Sequence, residues 1–100
     1  MGEPTPIATI LEGLVKKRRW ATVLTAHRIR EIWEKAASRG LRAHCRVASW
    51  RNGSLELHAD SPVWSQEVSL LSEELATRIN QEAGEHLVEK IIVRTRRRSG

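Results

Sequence analysis

Two runs of cations carry most of the chemistry in this 100-residue sequence: Lys16-Lys17-Arg18-Arg19 and Arg94-Thr95-Arg96-Arg97-Arg98. Cations near a helix C-terminus meet the helix dipole favourably, at about 0.3–1 kcal/mol each. Four in succession exceed that need. Together the two runs can neutralise several phosphates, which predicts weak, salt-sensitive binding of single- or double-stranded DNA. The expected nucleic-acid contacts are Lys16, Lys17, Arg18, Arg19, Arg94, Arg96, Arg97 and Arg98. No recognition helix with base-reading side chains is evident, so base identity should matter little.

The four tryptophans, with no Phe or Tyr beside them, invite a base-stacking role. Trp33 and Trp64 fall on apolar helical stripes, where core packing is the expectation. Trp20 follows the basic run and admits either role. Trp50 is expected to close a strand on its polar face beside Arg51, open to a partner or a base. With the basic strand residues Arg42 and Arg46, Trp50 and Arg51 make up the expected partner-binding set.

His44 and His58 are expected on one face of neighbouring strands, but no third ligand accompanies them, so neither a metal site nor a pH switch is predicted. Cys45 is the sole cysteine, which excludes an intramolecular disulfide and a Cys-based zinc knuckle. It reads as a small buried apolar residue. No nucleophile with its base, no paired carboxylates and no Gly-x-x-x-x-Gly-Lys phosphate loop can be found. The expectation is a protein that is not an enzyme and takes neither a cofactor nor a small-molecule substrate.

These residues need elements to hold them. Thr5-Pro6 is a hydroxyl cap followed by a proline suited to the first helical position, with Ile7, Leu11 and Leu14 on one face. A second amphipathic stretch places Val23, Ile29, Ile32, Trp33 and Ala36 at helical spacing until Gly40. Neither glycine nor proline lies between Gly13 and Gly40, so these are two helices with a corner at Trp20 to Thr25, or one bent helix. From Leu41 the period becomes two: Leu41, Ala43, Cys45 and Val47 alternate with Arg42, His44 and Arg46. Leu55, Leu57 and Ala59 alternate with Glu56, His58 and Asp60 in a second strand.

Both buried sets are odd-numbered, which predicts a three-residue hairpin loop, Arg51-Asn52-Gly53, with positive φ at Gly53 and Arg46 opposite His58. Ser61-Pro62 repeats the cap-plus-proline start, and Trp64, Val68, Leu71, Leu75 and Ile79 form a stripe ending at Gly84. Glu67, Glu73, Glu74 and Glu82 lie on its outer face. Val88 to Arg96 reads as a last strand. The order helix, helix, strand, strand, helix, strand makes an α+β layer, three strands covered on one face by helices.

At 100 residues and 40% hydrophobic content one domain is expected. The net charge of +5 is unevenly placed: residues 1–53 carry 11 basic and 4 acidic side chains, against 6 and 8 in the remainder. The start lacks a basic region leading into an apolar stretch, and the longest aliphatic run is Ile91-Ile92-Val93. A cytoplasmic protein with neither signal peptide nor membrane partner is expected.

From Ile32-Trp33 to Arg94, about two thirds of the chain, the sequence resembles the DciA family. The resemblance rests on a Trp near a helix end, a glycine, a strand, and then Gly53-Ser54-Leu55-Glu56-Leu57-His58-Ala59-Asp60-Ser61-Pro62-Val63-Trp64-Ser65-Gln66-Glu67. It continues through Leu70-Leu71, Ile79-Asn80 and Val88 to Arg94. The Asp-Ser-x-x-Trp-x-x-Glu run after a Gly-x-Leu-x-Leu strand joins strand, cap and helix in one register. The resemblance implies a fold similar to a type II KH domain and an adaptor role, binding a DnaB-type replicative helicase and assisting its loading on DNA. It divides the chain into a basic N-terminal helix (1–20), a DciA/KH-like domain (21–96) and a basic disordered tail (97–100).

Arg46 stands where members often have a proline, and the long extension that many members carry is not among these 100 residues. The Gly-x-x-Gly clamp with which KH domains grip nucleotides is also missing, so the outline does not imply KH-type RNA binding. An RNA-binding KH-like module of the ribosome or RNA metabolism is the competing expectation.

Overall fold

A computed structural model describes the backbone of residues 6–97 and the side chains of residues 16–97. The expected Thr5 cap, Arg98 and the side chains of Ile7, Leu11 and Leu14 lie outside the described residues. Helix α1 runs unbroken over Pro6–Ala36, so the two expected helices are one and Trp20 to Thr25 forms no corner. No residue in that stretch denies the backbone a hydrogen bond, and Thr22 simply bonds back to the Arg18 carbonyl at 2.9 Å. Its burial starts at Ala26 and continues through Ile29, Ile32 and Trp33, the residues that meet the core.

The second helix is a different segment from the one expected. Ser38 caps α2 (Arg39–His44), its side chain accepting from the Leu41 amide at 3.3 Å. Leu41 to His44 is therefore helical rather than the start of a strand, and Gly40 lies inside α2. The period-two reading failed because Leu41 is buried while Ala43 is exposed, so the true apolar step is Leu41 to Cys45, one helical turn.

Strands β1 (Cys45–Arg51) and β2 (Ser54–Ala59) pair antiparallel. Arg46 faces His58 as expected, between Cys45–Ala59 and Val47–Leu57. Beyond Val47 the register shifts by one at a bulge, so that Ser49, Trp50 and Arg51 face Glu56, Leu55 and Ser54. The loop is accordingly two residues, Asn52-Gly53, both with positive φ (48° and 86°), the signature of a type I′ turn. Gly53 lies in the left-handed region, as expected. The loop has two residues instead of the expected three because the ladder is broken: Ala48 is the extra residue that reconciles a two-residue turn with odd-numbered burial on both strands.

Helix α3 (Pro62–Ala83) begins at the expected Ser61 cap and ends at Gly84, φ 73°. It buries Val68, Leu75, Ile79 and Ala83. Asn80 then fixes the return of the chain: its Oδ1 accepts from the Leu87 and Val88 amides, both at 2.8 Å, and its amide donates to the Val88 carbonyl. Strand β3 (Lys90–Thr95), shorter than the expected Val88 to Arg96, lies parallel to β2. The sheet order is β1-β2-β3. Leu55, Leu57 and Ala59 of central β2 are wholly buried beneath α1 and α3, giving the α+β, KH-like layer that was expected.

Candidate functional site

Strand alternation leaves one sheet face free of helices. Arg46, His58 and Arg94 lie in a row across its three strands, with Glu56 and Ile92 one step along. At the end where β1 begins, this face opens into a cavity of about 480 Å³. Arg42 comes from α2, Arg46 from β1, and Arg96 and Arg97 from the chain just beyond β3. Among the described residues none of these four guanidiniums pairs with a carboxylate; Arg42 donates only to the Glu34 carbonyl, at 3.1 Å.

His44 and Asp60 form one wall of the cavity, and Trp64 backs it. His44 Nδ1 donates to Asp60 Oδ2 at 2.9 Å, and the His44 ring stacks on Trp64 with centroids 4.6 Å apart and planes within 9°. Trp64 in turn covers Gly40, where a Cβ would meet the ring at 2.7 Å, which accounts for the glycine in α2. The Asp-Ser-Pro-x-Trp run thus seats a histidine against the wall and starts α3. Trp64 is half-buried at the core margin rather than enclosed in it, whereas Trp33 is fully buried.

Further along the face the Glu56 carboxylate accepts from Arg94 Nε and from His58 Nε2, each at 2.9 Å. The Arg94 bond first, and the His58 bond second, hold its carboxyl below the usual carboxylate range. Arg94 is thus already engaged. Cys45 lines the cavity floor, and burial, with Asp60 adding to it, pushes its thiol up to about 11. At neutral pH it is an unreactive thiol.

The structure regroups the expected residues. Arg42 and Arg46, assigned to partner contact, join Arg96 and Arg97, assigned to nucleic acid. Lys16, Lys17, Arg18 and Arg19 stand exposed on α1 and line no part of this cavity. Trp50 lies on the other face from the one expected: the Ala48 bulge turns it to the helix side, where it packs on the core, its Nε1 donates to the Leu87 carbonyl at 2.8 Å and its half-buried ring lines a groove. Arg51 lies at the rim of the same groove, which is separate from the cavity and holds about 560 Å³ between α1 and the β1 edge. Sequence reasoning passed over Arg30, which lines that groove and reaches the Ala48 carbonyl at the bulge. It also passed over the His44–Asp60 pair, although the expected register, with Arg46 opposite His58, sets His44 opposite Asp60. Among the described residues no helix is long and apolar enough to cross a membrane.

A family model described as "Dna[CI] antecedent, DciA" matches residues 6–93. The chain is 19% identical over 89 residues to a UPF0232 protein of Rhodococcus jostii, covering 89% of this chain and 47% of that one. It is 22% identical over 79 residues to a UPF0232 protein of Bifidobacterium longum (79% and 51% covered) and 23% identical over 86 residues to one of Mycobacterium leprae (86% and 46%). The chain spans about half the length of the curated relatives it matches.

Proposed function

Because the chain belongs to the DciA family, we propose that it is a non-catalytic cytoplasmic adaptor that binds a DnaB-type replicative helicase and assists its loading on DNA, with weak sequence-independent nucleic-acid binding of its own. The family match over residues 6–93 is the observation that carries the helicase half. The nucleic-acid half is supported by the guanidiniums of Arg42, Arg46, Arg96 and Arg97 around one cavity, none of which pairs with a carboxylate among the described residues. Phosphates are the ligands such a cluster suits, since each guanidinium offers paired N–H donors and sheds counterions on binding.

In this reading residues 1–20 are a basic arm, 21–96 the domain and 97–100 a basic tail. Since α1 passes through residue 20 without a break, residues 6–20 of the arm continue the helix of the domain. The helicase contact falls to surfaces away from the cavity, among them Arg51 with the groove beside it and the acidic outer face of α3.

The test is size-exclusion chromatography of the protein with the replicative hexamer of its own organism, in salt that abolishes nucleic-acid binding. Co-elution is the expected result. Absence of co-elution even at low salt, together with tight preference for RNA over DNA of equal length, would replace this reading with that of an RNA-binding module.

A further inference from the structure

Six large apolar side chains stay exposed among the described residues, and five of them fall on two helix faces: Trp20, Val23 and Leu24 on α1, and Val63 and Leu70 on α3. The two faces share one spacing. Lys16, Trp20, Val23 and His27 step by four, three and four, and so do Val63, Glu67, Leu70 and Glu74. Each set is therefore a straight stripe about 16 Å long on its helix. Their charges are opposite: the α1 stripe is flanked by Arg19 and its neighbouring cations, the α3 stripe by Glu73.

Among the described residues little covers the α1 stripe: residues 16–21 are exposed, Trp20 is 65% and Val23 56% exposed, and Val23 only borders the groove beside β1. Helices owe most of their stability to packing, and like charges three and four apart weaken them. A polyanion alone would answer the cations but leave Trp20 and Val23 in water. An acidic helix bearing exposed leucine and valine answers both, and this chain carries one.

We infer that the α1 stripe docks antiparallel on the α3 stripe of a second copy of this chain, with Lys16 opposite Glu74, Trp20 against Leu70 and Arg19 beside Glu73; in that register Val23 lies on the methylene stem of Glu67 and Val63 beside His27, so Trp20 with Leu70 is the apolar contact and the charges set the rest. The two surfaces are different, so the contact is head to tail and each added copy leaves one stripe of each kind free. Reversible short chains follow, rather than a closed dimer. Glu74 already bonds Arg78 at 2.7 Å, but both are half exposed and the carboxylate has room for a second cation. Lys17 and Arg18 point off the stripe and stay open to phosphate.

Two stripes this short make a small interface, so association is read by sedimentation equilibrium at about 0.5 mM nucleic-acid-free protein in low salt. The weight-average mass of the wild type should rise above 11.4 kDa with concentration and fall back with added salt. The Lys16→Glu, Arg19→Glu variant and the Glu73→Lys, Glu74→Lys variant, each shown folded by circular dichroism, should stay at monomer mass. Their equimolar mixture should associate again, because the acidic α1 of one fits the basic α3 of the other. Leu70→Ser, a milder change at a 74% exposed position, should weaken association without altering the fold. A wild type that remains at 11.4 kDa overturns the inference, as does association that survives both reversals or a mixture that stays monomeric.

Discussion

His44 joins more of the site than any other side chain: it bonds Asp60, stacks on Trp64 and borders the arginine cavity. That arrangement changes what Trp64 is worth. Trp33, enclosed by the core, should cost about 3–5 kcal/mol as Trp33→Ala, whereas the half-buried Trp64 should cost nearer to about 2 kcal/mol as Trp64→Ala. Urea unfolding of the two variants checks the ranking, and a larger loss at Trp64 would contradict it. The Cys45 thiol, raised from 9.0 to about 11 by burial, should hold roughly 100-fold less thiolate near pH 8 than in the unfolded chain. Iodoacetamide should therefore modify the native protein far more slowly than the urea-unfolded one, and equal rates would refute the burial. Glu56 titrates in the opposite sense. Its folded pKa is lowered, chiefly by Arg94, so its stabilisation is present above the ordinary value of 4.5 and is lost as pH falls through the folded one. The advantage of wild type over Glu56→Gln should shrink in acid below about pH 4.5; an advantage independent of pH there would show that the carboxylate is not so held.

At the scale of elements, the Ala48 bulge decides the most. Deleting Ala48 should give an unbroken ladder in which Arg46 still faces His58, Trp50 still faces Leu55 and the Asn52-Gly53 turn is kept. The deletion variant should fold, with its Trp50 indole still bonded to Leu87; loss of cooperative unfolding would mean that the bulge is required. Gly53→Val should do worse, since φ is 86° and a Cβ there would meet Glu89 Cγ at 3.1 Å. Strand β2 and helix α3 were legible in the sequence because their burial keeps one strict period over six and twenty-two residues. The bulge was not, because an extra residue leaves the identities of its neighbours unchanged and only their facing reverses. Helix α2 was not legible for a related reason: six residues hold too few turns to separate a step of four from two steps of two.

The whole molecule explains why the cavity could not be read from the chain. Its four arginines come from α2, β1 and the segment after β3, and only the sheet order brings the last of these beside the first. Replacing Arg42, Arg46, Arg96 and Arg97 with Ala should weaken binding equally for all DNA sequences. It should also flatten the plot of log affinity against log salt by up to about 3 to 4 units of slope. A slope unchanged by this variant, but lowered by changing Lys17 and Arg18, would move the phosphate contact to α1. The sheet order has another consequence, for the birth of the fold. Ser54 on β2 waits for Lys90, and the crossing of α3 separates them. The hairpin can close early on its local turn, whereas the parallel pairing is a late, non-local event. Until it occurs, the newly made chain shows an unpaired edge and the bare side chains of Leu55 and Leu57, the state in which nascent copies would clump and in which a chaperone would find them.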